Sequence, residues 1–411
     1  MAIIKPFRGY LPPADLAHKI SSPPYDVMTS DEAREMVQNN KDSFLRIIKP
    51  EIDFDSGDEP SGDNLHNHGK RNLADFIDKG NLIQDPNPSL YLYQITMGNH
   101  TQTGIMAAVS IDEYNHGLIK KHEFTRPEKE DDRTRHIELT NANTGPVFLT
   151  FRNDGKLKNV IIDIVNSHPD VSFTADDATI HTLWKIDHHV QMEQIVEYFL
   201  SVSALYIADG HHRAASAARV QKLRADANPN HNGDEPYNYF LSVIFPHDEM
   251  QILDYNRIIK DLNGLTEEQL HESINENFDV VPNSHPPSPI PKNNYSMYLN
   301  GKWYQLEAKD HIKSDDPVDG LEASILQNHL LTPILDIDDP RTNKRIDFVG
   351  GIRGMEELER RCEVDCQVAF ALPPVSIEQL LSVADSGQVM PPKSTWFEPK
   401  LRSGMVVRLL G

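Results

Sequence analysis

Between residues 204 and 226 a short apolar run, Ala204-Leu205-Tyr206-Ile207-Ala208, meets an alanine-rich stretch beginning at Ala214, with only Asp209-Gly210-His211-His212-Arg213 between them. The run is short enough for a strand, whereas Ala214 to about Asp226 is rich in the residue that loses least on entering a helix. The strand must therefore pass almost directly into the helix, and the chain is expected to fold as α/β. The same turn has a chemical consequence. The first helical amides, about His211 to Ala214, have no acceptor inside the helix and point at whatever lies in front of them. Gly210 lets another group approach the backbone, the helix dipole favours negative charge, and Arg213 with two imidazoles adds donors. Such a turn is suited to holding a phosphate. The plainer alternative is that Asp209 caps the helix and the histidines serve the surface or the core.

The rest of the chain alternates the same two kinds of segment. Ile3 to Tyr25 reads as an extended, proline-rich arm, and Thr29-Ser30-Asp31 as the cap of a helix to about Asn39. A polar loop then precedes a helix at about Leu65–Lys79. Ser89–Met97 and Gly104–Ile111 have strand composition, and Gly98-Asn99-His100 between them has hairpin chemistry. Val147–Arg152 and Val160–Val165 continue the strand and helix alternation, Asp187–Tyr198 has amphipathic helical spacing, and the strand Tyr239–Phe245 precedes an expected helix near Asn256–Leu262. The proline-rich stretch Pro282–Pro291 is the clearest boundary. Beyond it come a hairpin across Asn300-Gly301, helices at Leu321–Leu331, Met355–Arg361 and Ile377–Ala384, and strands at Val368–Leu372 and Met405–Leu410. The expected class is α/β with a mixed (α+β) sheet, divided into a core of residues 1–265 that carries the turn and an additional α/β region, 266–411.

Charge narrows the partners. The chain has 40 Lys+Arg against 62 Asp+Glu, a net charge of −22. So negative a surface repels nucleic-acid backbones and anionic lipid, so neither nucleic acid nor membrane is an expected partner, and an anionic ligand must be caught locally. Cys362 and Cys366 lack the second pair of a closed zinc site and read as core or helix-end thiols. The N-terminal segment shows no basic region followed by a long apolar stretch, and no window approaches about 18 uninterrupted apolar residues, so the cytoplasm is the expected compartment.

Two further stretches carry candidate chemistry. In His122-Glu123 a carboxylate beside an imidazole can take a proton from a hydroxyl or hold Mg²⁺, although a charged stretch is more often a solvated face. Arg126, Arg133 and Arg135 could clamp a phosphate or pair with Glu128, Glu130, Asp131 and Asp132 around them. In Met390-Pro391-Pro392-Lys393-Ser394-Thr395, prolines stiffen a loop that offers a cation and two hydroxyls to a phosphate. The alternative is a packing loop held by Trp396 and Phe397.

At Ser22-Pro23-Pro24-Tyr25-Asp26-Val27, Lys121 to Thr125, Lys129 to Arg133, Asn141 to Pro146, Asp209 to Arg213, Ile252 to Arg257 and Met390 to Thr395, the sequence resembles the DUF1015 family of bacteria and archaea. The turn itself is similar to the phosphate-binding turn of the ParB and sulfiredoxin superfamily. That resemblance implies a ParB/sulfiredoxin-like core, and some members of the superfamily are free-serine kinases that use a nucleotide donor and a glutamate base. Two features depart from the superfamily: histidine stands where sulfiredoxin has its catalytic cysteine, and no arginine-rich helix-turn-helix region is evident.

The resemblance implies a small-molecule phosphotransferase acting on free serine or O-phosphoserine, either a serine kinase using ADP or ATP with Mg²⁺ or a phosphatase. Glu123, His122, Asp209 and His212 are the candidate catalytic residues. Gly210, His211, Arg213, Arg133, Lys393, Ser394 and Thr395 are the candidate phosphate or nucleotide ligands. The competing expectation is a nucleotide-binding sensor without turnover. A metal-dependent hydrolase built on Asp209, His211 and His212 is weaker, because adjacent ligands point apart.

Overall fold

The structure is a computed structural model that describes residues 1–411 except Ser288. Ser288 lies within the expected boundary stretch 282–291, and that part of the expectation falls outside the described residues. The chain forms two compact units. The first comprises Met1–Lys121, Thr125–Met250 and Pro399–Gly411; the second comprises His122–Phe124 and Gln251–Glu398. The expected division at 265/266 differs from this one because Tyr255–Ile259 is a central strand of the second unit's sheet.

The first unit is built on a nine-stranded mixed sheet. Leu90–Met97 and His100–Ser110 form the expected antiparallel hairpin, with Gly98 at φ 59° in its turn. Ile180–Ile186 and Val171–Thr174 extend the sheet on one side of this hairpin; neither is among the strands expected from the sequence. On the other side, Tyr239–Pro246 pairs antiparallel with His100–Ser110 and parallel with Val147–Phe151. Val147–Phe151 in turn pairs antiparallel with Leu205–Asp209, which runs parallel to Ile119–Lys120. Strands paired on both edges bury their side chains, and Leu92, Val109, Leu149, Ile207 and Ile244 are buried in one core.

The helix His211–Ala227 packs against Pro127–Thr140, and Ala214, Ala215, Ser216 and Ala217 in its first half are buried, the three alanines in the core shared with the sheet. Ser216 Oγ donates to the Glu130 carbonyl at 3.1 Å, and Arg219 pairs with Glu130 and Asp131. Much of the charge in residues 126–135 is therefore paired, as a solvated helix face would have it. The helix Ser30–Val37 has the expected cap: Thr29 Oγ1 accepts from the Glu32 amide, and Glu32 accepts from the Thr29 amide.

The last segment of the chain is an integral part of this unit. Arg408–Leu409 pairs with Ala142–Asn143, Val407 bridges Tyr10, and Ser403 bridges Ser22. Regular pairing covers only Arg408–Leu409 of the strand expected at Met405–Leu410. Arg402 is buried; its Nε donates to His181 Nε2 at 3.2 Å, and His181 Nδ1 lies 2.8 Å from the Tyr93 hydroxyl.

The second unit has a six-stranded, wholly antiparallel sheet in the order Phe278–Asn283, Lys302–Ala308, Asn294–Leu299, Val368–Ala371, Tyr255–Ile259, Ile346–Gly350. The helix expected near Asn256–Leu262 is thus a strand. Its apolar residues Ile258, Ile259 and Leu262 fit helical spacing, but strands on both sides satisfy its backbone groups and settle the conformation. Ser376 caps Ile377–Ser386 through a box with Gln379. Cys366 is buried in this unit's interior with Cys362 packed beside it, and both are free thiols.

Burial, aided by the Arg402 charge, depresses the His181 pKa to about 3. The unfolded imidazole titrates near its ordinary value of about 6.5. Between these two values the unfolded chain binds a proton that the folded chain does not, so His181 contributes stability that is complete above pH of about 6.5 and is lost toward pH of about 3. In urea melts across this window, His181→Gln should flatten the acid-side loss of stability relative to the unsubstituted protein.

Candidate functional site

The strand Leu205–Asp209 reaches its turn through a bulge. Ile207 is opposite Leu149 and Asp209 opposite Phe148, so Ala208 is the extra residue, and the irregularity re-aims the strand end where Asp209 emerges. Gly210 follows at φ 90°, ψ 31°, in left-handed space that a side-chain-bearing residue adopts only with strain. The helix opens with the Ala214 amide donating to the Gly210 carbonyl at 3.1 Å. The amides of residues 211–213 precede that bond and have no acceptor within the helix. The helix begins at His211, three residues earlier than the alanine-rich stretch suggests, so the two histidines and Arg213 form its first turn.

Asp209 does not cap this helix through its side chain. One carboxylate oxygen accepts from the Gly210 amide at 2.7 Å, and the other accepts from Lys400 Nζ at 2.9 Å. Burial alone would raise the Asp209 pKa, but the Lys400 charge and these two hydrogen bonds hold it below the ordinary aspartate range. His211 is buried, whereas His212 is half-buried and its Nε2 accepts from the Arg126 amide at 3.0 Å. That bond makes His212 neutral with its proton on Nδ1. The Arg213 guanidinium crosses the backbone of Gly145, where a Cβ would come within 2.6 Å of Nη1, so Gly145 clears its path.

A cleft lies in front of the turn. Asp209, Gly210 and Arg213 line it together with Pro24 and Asp26, Pro146 and Phe148, and Lys400, Leu401 and Ser403. Four sequence stretches that are far apart in the chain thus meet at one place. Tyr25 joins the arrangement from the side: the guanidinium carbons of Arg133 and Arg213 lie 4.3 Å and 5.1 Å from its ring centroid.

Arg133, expected as a phosphate ligand, is buried and donates to the Asp132 carboxylate and the Ile48 carbonyl. Arg135 pairs with Asp63 and Glu138 rather than with the acids expected around it.

The remaining expected site residues belong to the second unit. His122 is buried; its carbonyl accepts from the Met390 amide at 2.8 Å, and its Nε2 lies 3.5 Å from Thr395 Oγ1. The stretches around His122-Glu123 and Lys393 to Thr395 are therefore neighbours. Glu123 is half-buried beside His122. Ser394 is buried, and its hydroxyl donates to the Pro391 carbonyl at 2.7 Å, which braces the loop from within and fits the packing alternative. Lys393 has φ 59° and its ammonium lies 5.5 Å from the Tyr255 ring centroid.

Two charged cleft residues carry no assignment at the level of sequence. Lys400 is visible there only as a cation a few residues beyond the Met390–Thr395 loop, and Asp26 only as the carboxylate behind a double proline. Among the described residues, no group of three His, Cys, Asp or Glu side chains is arranged to hold a metal ion. No helix among them is long and apolar enough to cross a membrane.

The chain is an α/β protein whose first unit turns a mixed sheet directly into a helix at the floor of a cleft. The family model described as DUF1015, protein of unknown function, matches residues 4–324, and the chain belongs to that family. No curated protein matches it. Among solved structures it is similar to a free serine kinase variant in complex with AMP, with 13% identity, 72% of this chain and 87% of that chain covered, and a TM-score of 0.36. A conserved hypothetical protein from Pyrococcus furiosus gives 14% identity, 74% and 95% coverage, and a TM-score of 0.36. SbnI with a C-terminal truncation, from Staphylococcus aureus, gives 12% identity, 74% and 81% coverage, and a TM-score of 0.35.

Replacing Lys400 with Met removes the cation that holds the Asp209 carboxyl down. In a carboxyl-resolved NMR titration, Asp209 should then titrate at higher pH than in the unsubstituted protein. An unchanged midpoint would show that the ion pair does not govern it.

Proposed function

We propose that this protein is a small-molecule phosphotransferase acting on free serine or O-phosphoserine, with the Asp209–Arg213 turn as its phosphate cradle. The observation that carries the reading is Gly210 in left-handed conformation at the head of a 17-residue helix, facing a cleft that also receives Arg213 and Lys400. First-turn amides and two cations at one point favour a group with several anionic oxygens. In a chain of net charge −22 such a local concentration of donors is the means of catching an anion. The substrate class comes from the resemblance of the turn to those of free-serine kinases.

In the kinase direction the serine hydroxyl oxygen bonds to the terminal phosphorus of ADP or ATP. The bond from that phosphorus to the bridging oxygen breaks, and AMP or ADP leaves. In the phosphatase direction water attacks O-phosphoserine and serine leaves. Either way, the turn amides, Arg213 and His212 would stabilise charge on the phosphoryl oxygens, and positioning and electrostatics would do most of the work. Lys400, already beside Asp209, would add a cation at the same place. Mg²⁺, where present, would supply neutralisation of phosphate charge.

The test is transfer from ADP or ATP with Mg²⁺ to serine, and phosphate release from O-phosphoserine, by the purified protein and by Arg213→Ala and His212→Ala. Each variant should keep its far-UV circular dichroism and lose about 10²-fold or more in kcat/KM, as when an oxyanion donor is removed. Tight nucleotide binding with no product in either assay would replace this reading with that of a nucleotide-binding sensor.

A further inference from the structure

The cleft of the first unit is lined by two carboxylates, and their surroundings differ. Asp209 accepts from Lys400 Nζ at 2.9 Å and from the Gly210 amide at 2.7 Å. Both contacts favour its charged form, which makes Asp209 a poor proton acceptor. Asp26 is exposed at the same cleft and has no hydrogen-bond or ion-pair partner among the described residues. It is the carboxylate that a hydroxyl entering the cleft can use.

Asp26 also sits on a braced segment. The Ser22 amide donates to the Ser403 carbonyl at 3.0 Å, and the Ser403 amide returns a bond to the Ser22 carbonyl at 2.9 Å. Pro23 and Pro24 then restrict the backbone, and the next side chain, Tyr25, is held against Arg133 and Arg213. The arginine that contacts Tyr25 is the arginine of the phosphate turn, so the two walls of the cleft are tied through one ring. A proton acceptor needs this kind of fixed placement beside the group it serves.

We infer that Asp26, rather than Glu123, is the general base of this site and takes the proton of the acceptor hydroxyl. The inference rests on the phosphotransferase reading above. As the hydroxyl oxygen of serine bonds to the terminal phosphorus of the nucleotide, its proton passes to an Asp26 carboxylate oxygen. The bond from that phosphorus to the bridging oxygen breaks, and the leaving nucleotide takes the electron pair. Asp209 stays ionised and keeps Lys400 in place.

Asp26→Asn, Asp26→Glu and Glu123→Gln separate the possibilities when transfer to serine is followed across pH, with nucleotide binding measured by calorimetry. Asp26→Asn should lower kcat by about 10²-fold or more, the usual contribution of a general base. It should leave nucleotide affinity nearly unchanged and abolish the acid limb of the pH–rate profile. Asp26→Glu should restore part of the rate, and the acid limb should persist in Glu123→Gln. Transfer that survives Asp26→Asn, or an acid limb that disappears in Glu123→Gln, would overturn the assignment while leaving the phosphotransferase reading standing. No transfer from either nucleotide to serine and no phosphate release from O-phosphoserine by the unsubstituted protein would sink that reading, and the base assignment with it.

Discussion

The contact on which the first unit most depends is the one between Arg402 and His181. A buried guanidinium is costly unless its donors are met, and here they are met by a neutral imidazole, by the Ser21 carbonyl and by Asp177. His181 must stay unprotonated for Nε2 to accept, and its burial ensures that. Through this pin the segment 399–411 is held against the large sheet, and with it the residues that finish the cleft: Lys400, Leu401 and Ser403. The same segment is held further along by Val407 against Tyr10 and by Arg408–Leu409 against Ala142–Asn143.

The cleft itself results from a few small geometric permissions. Gly210 supplies a left-handed residue where strand becomes helix, and Gly145 leaves space for a guanidinium to cross the backbone. A bulge at Ala208 shifts the register so that Asp209, at the strand end, lies opposite Phe148. None of these features is chemically reactive, yet together they put first-turn amides, Arg213 and Lys400 at one point. The Arg133–Tyr25–Arg213 contact then joins the proline-rich arm to the turn, which explains why residues near position 25 and near position 210 belong to one site.

Much of this is legible in the sequence alone. The strand-to-helix turn, the hairpin through Gly98-Asn99, the Thr29 cap and the α/β class follow from local chemistry, because glycine freedom, capping side chains and apolar periodicity act within a few residues. Where local pattern misleads, longer-range partners decide. Ile258, Ile259 and Leu262 have helical spacing, yet Tyr255–Ile259 is a strand with a neighbour on each side. Val171–Thr174 and Ile180–Ile186 escape a sequence reading although they pair with each other, and Ile180–Ile186 is completed by Leu90–Met97 from far earlier in the chain. Ser394 offers a hydroxyl in the sequence, and the fold turns it onto the Pro391 carbonyl.

What the sequence determined by itself is the form of the turn: Asp209-Gly210 leading into His211, His212 and Arg213 passes from strand to helix through a left-handed glycine, because glycine freedom and helix propensity act within a few residues. The fold alone decided what stands around that turn. Asp26 lies far before it, near the start of the chain, and Lys400 lies 191 residues beyond Asp209; they come together through the folding of the whole first unit. Pairing over such distances depends on the summed burial of whole elements rather than on any motif, and so it could not be read from the residues it joins.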